Sequence, residues 1–404
     1  MARPWVKLGL PWALVVLAGL ATGVGWRLLQ RETPRPPSLA WHFVYVMPYD
    51  NDLDRCAGPI TQALRRGARH PSVAVSVLYD GVAQDGLREL SFRGREERSR
   101  RIDTEDGADA AQVASFLDRV TRDRPARRYV LVFLDHGGAM DQLGYDERPA
   151  RADGGSAPRW LSARGVGEAL RRWRSRRQLA GEAVPLVFLQ QCGRASIETL
   201  VNFRRTGERL LASQRDLGAC NTYYEALLAF ASAHPDATGR DLAEVIFEAD
   251  RNSRSLTLVR TQALEGIVPR VDAFAREVLS GGRTPGPSSV AGIAPCFSFG
   301  ISQNYDLLQV VRAVATASGG RAPLLAEALE RFVQEDLVER HHRRSDDLES
   351  AGWCGVSTHL PALAGLLDLY SLQPLYQETR WGELARALSA NEGLTIRASP
   401  PTRP

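Results

Sequence analysis

Two short stretches decide how this chain of 404 residues is expected to fold: YVLVFLDHGG at residues 129–138 and VPLVFLQQCG at residues 184–193. Each begins with an apolar run rich in valine, leucine and phenylalanine, and each ends in polar residues and glycine. Short apolar runs of this kind predict buried strands of a parallel sheet. Because ligands of open α/β sheets bind beyond the carboxyl ends of the strands, His136 and Cys192 are expected at one functional edge.

A cysteine and a histidine that meet at one sheet edge are the minimal groups for covalent acyl transfer. The thiolate of Cys192 would attack a peptide carbonyl carbon, and His136 would protonate the leaving amine. Each residue alone has a simpler interpretation, because a cysteine at the end of a buried strand usually only packs against its neighbours. Their joint position makes a cysteine endopeptidase the leading hypothesis, with a polypeptide as substrate.

The segments around these two stretches alternate between strand and helix patterns. Expected strands lie at 41–48, 72–79, 129–135, 184–191 and 209–213, and expected helices at 54–66, 108–122, 162–179 and 194–203. This alternation is typical of right-handed strand–helix–strand units. The expected fold class is therefore α/β, with a mostly parallel sheet flanked by helices.

The remaining segments have weaker patterns. The charged residues 88–106 predict a hairpin or a loop, and the Gly- and Arg-rich residues 138–160 predict an exposed loop. Past residue 219 the pattern is mainly helical, with a Gly/Pro/Ser linker and one late strand; these segments are 219–279, 281–292, 305–317, 323–339 and 355–361. The expected organisation is an N-terminal segment (1–40), a catalytic core (41–235) and a helix-rich C-terminal part (236–404).

Composition excludes some classes of function. Hydrophobic residues make up 44% and charged residues 24% of the chain, as in ordinary globular proteins. The net charge of +4 is small for this length, and the sequence carries no nucleic-acid-binding motif. A nucleic-acid partner is therefore not expected.

The N-terminus carries an apolar run, Leu8 to Trp26, between basic residues and a Pro-rich linker. Its length is at the short end for a membrane-spanning helix. A cleaved signal peptide is the alternative, since Ala21 and Gly23 are small residues at a suitable place for cleavage. The pattern favours an uncleaved membrane anchor; a cleaved segment would instead export the enzyme.

Four cysteines remain besides Cys192, namely Cys56, Cys220, Cys296 and Cys354. Their spacings match neither a zinc site nor a disulfide-dense scaffold. They can pair in an oxidising compartment or be buried as small hydrophobic residues, and the sequence favours the second interpretation.

The roles of two further groups of polar residues are left open by the sequence. Asp50 and Asp80 also follow predicted strands, so they line a substrate cleft or cap helices. The pair His341-His342 lies at a charged, predicted helix end and is expected to be solvated surface rather than a metal site.

Five motifs follow one another in a specific order along the chain. They are Trp41 to Leu53 with Asp50-Asn51, Asp135-His136-Gly137-Gly138, Cys192 with Glu198, Leu211-Ala-Ser213, and Gly355-Val-Ser357 with Pro361. As an ordered set they resemble the clostripain (C11) family of caspase-like cysteine peptidases. Independently, Gln190-Gln-Cys-Gly193 is close to the caspase motif around the catalytic cysteine.

The resemblance implies a caspase-like sheet and a Cys–His dyad of Cys192 and His136. It also implies that main-chain N–H groups of Gly137 and Cys192 bind the oxyanion, where glycine permits the close approach of the backbone. Family members often cut themselves between the histidine and cysteine strands, which predicts a cut in residues 138–160, a segment that contains Arg148, Arg151 and Arg159. Calcium dependence occurs in the family, but the sequence has no ligand cluster specific for it.

The chief departure from the family lies two residues before the cysteine. The family carries an aspartate there that helps it accept a basic side chain, and this chain has Gln190. A neutral amide cannot pair with a guanidinium as a carboxylate does, so the preference for basic residues is in doubt. Asp216 can supply the charge instead, or it can be an exposed loop residue.

Two other hypotheses compete with the endopeptidase. The first is a catalytically inactive relative that acts as a binding or signalling module at the membrane, which the replacement at Gln190 motivates. The second is a thiol-dependent ligase on the same scaffold.

Overall fold

The computed structural model describes residues 39–83, 86–103, 106–149, 157–281 and 285–389. Within these residues the central element is a sheet of nine strands, accompanied by sheets of three and of two strands. In chain order the strands are β1 Leu39–Tyr49, β2 Val73–Gly81, β3 Leu87–Arg93, β4 Glu96–Ile102, β5 Ala126–Leu134, β6 Gln142–Asp146, β7 Arg159–Ser162, β8 Leu186–Gln190, β9 Arg209–Ala212, β10 Ser255–Arg260, β11 Pro295–Phe299, β12 Ser302–Asp306, β13 Val338–Arg343 and β14 Ser357–His359.

The large sheet is parallel at its centre and antiparallel at both sides. Its strand order is β13-β10-β9-β8-β5-β1-β2-β3-β4. The five central strands, from β9 to β2, pair in parallel, whereas β3, β4, β10 and β13 pair antiparallel. The expected α/β class with a mostly parallel core is confirmed.

Helices connect the strands and lie on both faces of the sheet. In chain order they are α1 Asp54–Gly67, α2 Ala110–Asp123, α3 Ala163–Arg177, α4 Ile197–Leu200, α5 Tyr224–Ala233, α6 Gly239–Ala249, α7 Leu264–Ser280, α8 Leu307–Ser318, α9 Ala322–Arg331, α10 Pro374–Glu378 and α11 Trp381–Leu388. Side chains of α1, α5 and α6 pack in one apolar core, and those of α2, α3 and α7 pack in another.

The alternating direction of side chains along each strand explains why the sheet has one apolar core on each face. Successive side chains of a strand point to opposite faces. In β1, Tyr45 and Met47 belong to the core with α1, whereas Val44 and Val46 belong to the core with α2. A strand buried on both faces must be apolar at nearly every position, which is the pattern that the central strands have.

The early segments fold largely as expected. Residues 88–106, for which hairpin and loop were both open, contain the antiparallel hairpin of β3 and β4. The helix expected at 194–203 is shorter, because only α4 and one following 3₁₀ turn, Val201–Phe203, are helical.

The segment 138–160 was wrongly predicted as a continuous exposed loop. Its described part contains β6, which pairs with β7, and Leu143 and Asp146 are buried. The polar composition concealed this small sheet, because a two-stranded ribbon has few apolar positions. Residues 150–156, including Arg151, lie outside the described residues.

The C-terminal part contains strands that the helical patterns concealed. β10 and β13, which extend the main sheet, and β11 and β12 were not expected. β14, which completes the three-stranded sheet with β11 and β12, lies within the late strand expected at 355–361. The pair His341-His342 lies in β13 rather than at a solvated helix end, and His342 is buried against Phe247 with ring centroids 4.7 Å apart. That prediction was wrong because the sequence VERHHR of β13 is too polar to indicate a strand.

The apolar run from Leu8 to Trp26 lies outside the described residues. Among the residues that the structure does describe, no helix combines the length and the apolar character needed to cross a bilayer.

Candidate active site

The register of β5 and β8 brings the two predicted catalytic residues to matching positions. The last paired residues of these parallel strands are Leu134 and Gln190. His136 and Cys192 each follow two residues later, so both lie just past the same end of the sheet. They line a common cavity of about 270 Å³.

Gly137 lies directly on the main chain of Cys192. A Cβ atom built on Gly137 would be 2.0 Å from the carbonyl oxygen of Cys192 and 2.8 Å from its nitrogen. Real Cβ atoms never come this close to backbone atoms, so only glycine fits between the histidine and cysteine segments.

The thiol of Cys192 is partly covered by the segment that follows β9. The main-chain N–H of Leu217 donates to Sγ at 3.3 Å. Burial raises the pKa of the Cys192 thiol, while hydrogen bonds from the N–H groups of Leu217 and Gly137 lower it in part. Because the raising effect of burial is larger, the resting group is the thiol, and the two N–H donors favour the thiolate once it forms.

His136 is held by a carboxylate that was not among the predicted site residues. Its Nε2 lies 2.6 Å from Oδ1 of Asp52. A carboxylate only accepts, so Nε2 carries the hydrogen of this bond. The other oxygen of Asp52 pairs with Arg55 at 2.7 Å, and all three residues line the cavity. The contact between His136 and Asp52 is partly exposed to solvent.

Arg194 connects the segment that follows His136 to the segment that contains Cys192. Its side chain is fully buried and donates to the carbonyl oxygens of Cys192 (2.8 Å), Gly138 (2.6 Å), Ala139 (2.8 Å) and Gln142 (2.8 Å). Burial lowers its pKa to about 10, so the guanidinium remains charged at neutral pH. One cation thus organises main-chain carbonyls of both segments.

The turn after Cys192 also requires glycine. Gly193 has φ +66°, and a Cβ atom there would lie 2.2 Å from the ring of Phe297. Its carbonyl accepts from Asn304 Nδ2 at 3.0 Å. The C-terminal strands β11 and β12 therefore support the cysteine turn.

A disulfide ties together two walls of the cavity. Cys56 in α1 is bonded to Cys220, next to the segment Leu217–Ala219 that lines the cavity. The prediction that these two cysteines are buried and unpaired was wrong, because a sequence separation of 164 residues gives no pairing signal. Cys296 and Cys354 are free, and Cys296 is buried.

The remaining predicted site residues have different surroundings. Gln190 lines the cavity, whereas Asp216 is exposed and does not line it. Asp50 is buried outside the cavity, where it pairs with Arg148. Asp80 accepts from the main-chain N–H of Gly107 at 3.1 Å, away from the cavity. Neither Asp50 nor Asp80 lines this cavity.

The described part of the chain holds no cluster of three or more His, Cys, Asp or Glu side chains that is arranged to bind a metal ion.

Residues 46–309, more than half of the chain, match the model of the clostripain family, peptidase family C11. The chain belongs to the clostripain family. This membership confirms the resemblance that the ordered motifs indicated.

Solved clostripain-family structures share the fold. An inactive zymogen C11 protease from Parabacteroides distasonis is 14% identical, with a TM-score of 0.62, and the match covers 85% of this chain and 99% of that one. A secreted C11 cysteine protease from Bacteroides thetaiotaomicron, in complex with an irreversible peptide inhibitor, is 16% identical, with a TM-score of 0.59 and coverage of 86% and 99%. A search of the curated proteins found no match.

A second structure of a secreted protease from B. thetaiotaomicron, iotapain, is 12% identical, with a TM-score of 0.60 and coverage of 86% and 100%. By its family the chain is a cysteine peptidase of the clostripain type, and these structures show that it shares their fold.

The sequence alone did not point to several residues of this clostripain-family cavity. The sequence pattern places Asp52 before the helix expected at 54–66 and Arg55 within that helix, and it starts a mainly helical region only at residue 219, after Leu217. Their one sequence signal is position, since both segments follow strands that end at the same edge of the sheet as Cys192.

Proposed function

We propose that the chain is an endopeptidase that uses Cys192 as nucleophile and His136 as general acid. The observation that carries this proposal is the matched position of the two residues, each two residues past the paired ends of β5 and β8 and each lining one cavity. Catalytic groups on adjacent strand ends are held by the sheet, which favours a reproducible geometry.

The reaction has two stages. In the first, the Cys192 thiol passes its proton to His136, the thiolate forms a bond to the carbonyl carbon, the C–N bond breaks, and the leaving amine takes that proton from His136. In the second, water attacks the thioester, His136 accepts a proton from that water, the S–C bond breaks, and the released sulfur takes the proton back from His136. The carboxylate of Asp52 would stabilise the protonated imidazole in the first stage.

The oxyanion formed in each stage needs hydrogen-bond donors. Gly137 lies directly against the main chain of Cys192, so its N–H is near a carbonyl bonded to the Cys192 sulfur. With the N–H of Cys192 it would form the oxyanion site. Donors of this kind typically contribute about 3–4 kcal/mol each.

Autoprocessing between β6 and β7 is part of the proposal. Arg148 pairs with Asp50, and Arg159 pairs with Asp106, so both ends of the intervening segment are attached to the core. A cut between these two anchors would leave both catalytic strands in the sheet. A single uncut chain in a fully active preparation would contradict this step.

We do not expect this chain to share the family's preference for basic residues. The aspartate that supports it is replaced by Gln190, which lines the cavity. Asp216, the alternative source of charge, does not line it.

We also propose that the catalytic part acts outside the cytosol, attached to the membrane by Leu8–Trp26. The bond between Cys56 and Cys220 supports this location, because disulfides persist in oxidising compartments and are rare in the cytosol. Membrane fractionation with external protease treatment of intact cells tests it, and a catalytic part that remains protected in the cytosol would contradict it.

Activity is tested with the full-length chain in detergent, incubated with a peptide library that varies at the residue before the cut. Cys192→Ala and His136→Ala are compared with the unchanged chain and with Cys296→Ala, which changes a buried free cysteine outside the cavity. Cleavage that only the first two substitutions abolish supports the proposal. No cleavage, together with no covalent labelling of Cys192 by irreversible peptide inhibitors, would favour the inactive binding module.

A further inference from the structure

We infer that the cavity beside Cys192 selects an uncharged, mainly apolar side chain at the residue before the scissile bond. The inference rests on the proposed peptidase function and concerns what the enzyme cuts. It is carried by the hydrogen bonds behind Gln190, by the pairing of the charged groups in the cavity, and by the character of the walls.

Gln190 is buried, and both the nitrogen and the oxygen of its side-chain amide form hydrogen bonds within the protein. Nε2 donates to Asn221 Oδ1 at 2.6 Å and to the hydroxyl of Tyr224 at 2.9 Å. Oε1 accepts from the hydroxyl of Tyr223 and, at 3.4 Å, from that of Tyr224. An amide nitrogen has two hydrogens and an amide oxygen two lone pairs, so all of its hydrogen-bonding capacity is used.

A buried carboxylate fixes the direction of this chain of hydrogen bonds. Asp250 is fully buried, and its oxygens accept from Asn221 Nδ2 at 2.8 Å, from the N–H of Thr222 at 2.9 Å and from the hydroxyl of Ser253. Because a carboxylate only accepts, Asn221 must turn its nitrogen toward Asp250 and its oxygen toward Gln190. Gln190 must then turn its nitrogen toward Asn221 and its oxygen toward Tyr223.

This direction has a consequence for the substrate. The negative charge of Asp250 is separated from the cavity by Asn221 and is already bound by several donors. Gln190 cannot turn its oxygen toward a bound cation without breaking its bonds to Asn221 and to Tyr223. The inner wall therefore offers neither a free carboxylate nor a free amide group.

The charged groups at the other side of the cavity are also paired. Asp52 binds His136 with one oxygen and Arg55 with the other. Asp135 accepts from the N–H groups of His136 and Tyr145 and from Asn51. A lysine or arginine of the substrate would have to displace one of these partners, remain unpaired, or extend beyond the cavity lining to the exposed Asp216.

The rest of the lining is apolar or neutral. Tyr49, Leu53, Leu217 and Ala219 contribute to the walls of the 270 Å³ cavity. A charged group that leaves water for such a site without a counterion is strongly disfavoured, whereas an apolar side chain gains from burial. The cavity therefore favours side chains such as leucine, methionine or norleucine.

The test uses peptides that differ only in the charge of one side chain. Two matched pairs vary the residue before the cut: norleucine against lysine and citrulline against arginine. With the full-length chain, kcat/KM should be higher for the uncharged member of each pair by about tenfold or more. The kcat/KM for norleucine should also exceed that for citrulline. The amide of Gln190 already uses all of its hydrogen bonds within the protein, so it cannot bind the urea group of citrulline.

The outcomes separate the two proposals. No cleavage of any peptide contradicts the peptidase function itself. Cleavage that requires Cys192 but is faster with lysine and arginine than with their uncharged partners leaves the peptidase intact and overturns the inferred specificity.

A pair of variants tests whether the wall at Gln190 sets the preference. Gln190→Glu places a carboxylate in the wall and should raise the lysine-to-norleucine ratio of kcat/KM by about tenfold. Gln62→Glu makes the same change on the exposed face of α1 and should leave the ratio unchanged. Equal ratios in Gln190→Glu and the unchanged chain, with the variant folded, would show that another group sets specificity.

Discussion

The imidazole of His136 donates through Nε2 to Oδ1 of Asp52 at 2.6 Å, and this hydrogen bond joins the turn after β1 to the turn after β5. The bond fixes one ring nitrogen and the orientation of the ring. It also places a negative charge beside a group that must carry a positive charge while it protonates the leaving amine. Asp52 is therefore a positioning residue for the proposed general acid.

Asp52→Asn should lower kcat by about tenfold or more with a small change in KM, because the amide keeps the volume but not the charge that stabilises the imidazolium. Asp52→Glu should recover part of the loss. Arg55→Gln removes the other partner of Asp52 without touching His136 and serves as the matched control. Steady-state kinetics of the three variants check this, and equal kcat values in Asp52→Asn and the unchanged chain would contradict it.

Gly137→Ala should reduce kcat/KM by about 100-fold or more while most of the fold remains. The added Cβ would be 2.0 Å from the Cys192 carbonyl oxygen, so the two catalytic segments must move apart. Overpacking of this kind typically costs about 1–3 kcal/mol of unfolding free energy. Gly58→Ala is the control, because a Cβ there meets no atom within 4 Å. Steady-state kinetics and thermal unfolding of both variants measure these effects. A fully active Gly137→Ala enzyme would rule out the close approach of Gly137 to the main chain of Cys192.

Arg194→Met should lower the unfolding free energy by roughly 3 kcal/mol or more, because it leaves several buried carbonyl groups without a donor. The rate at which a covalent thiol reagent labels Cys192 should change as well, since the carbonyl of Cys192 is one of those acceptors. Denaturant titration and labelling kinetics measure the two effects. Arg204→Met, which removes an arginine that pairs with Glu378 at the surface, is the comparison. Similar losses in both variants would argue against a special role for Arg194.

Alkylation of Cys192 in the free enzyme should speed up as pH rises, with a midpoint above that of an ordinary thiol. The sign follows from burial, which penalises the charged thiolate and raises the pKa of Cys192. Iodoacetamide kinetics between pH 6 and about 10, with Cys192→Ala to subtract other thiols, measure the midpoint. A midpoint below the ordinary thiol range would mean that His136 already holds a thiolate in the resting enzyme.

The sequence predicted the centre of the sheet but not its edges. Central strands such as β5 and β8 are apolar at nearly every position because both faces are covered, and this signal needs no tertiary information. β13 is at the edge of the sheet and has mostly polar residues. Its place depends on pairing with β10, which a local pattern cannot reveal.

In the active site, too, the sequence predicted residues that have a local pattern and missed those that depend on contacts made in the fold. His136 and Cys192 were predicted because they follow apolar strands, and Gly137 because it follows His136. Asp52 and Arg194 were missed because acidic and basic residues in turns are common, and only the three-dimensional contacts distinguish these two. The link between Cys56 and Cys220 was missed because the residues are distant in sequence.

That disulfide determines how a processed enzyme would behave. Cys56 precedes the proposed cut between β6 and β7, and Cys220 follows it. The two fragments, one with the histidine strand and one with the cysteine strand, would therefore remain covalently joined after cutting. On a denaturing gel the cut protein should run as one full-length band without reductant and as two fragments with it, whereas Cys56→Ser should give two fragments in both lanes. Maturation would thus create two chain ends without releasing either half of the enzyme.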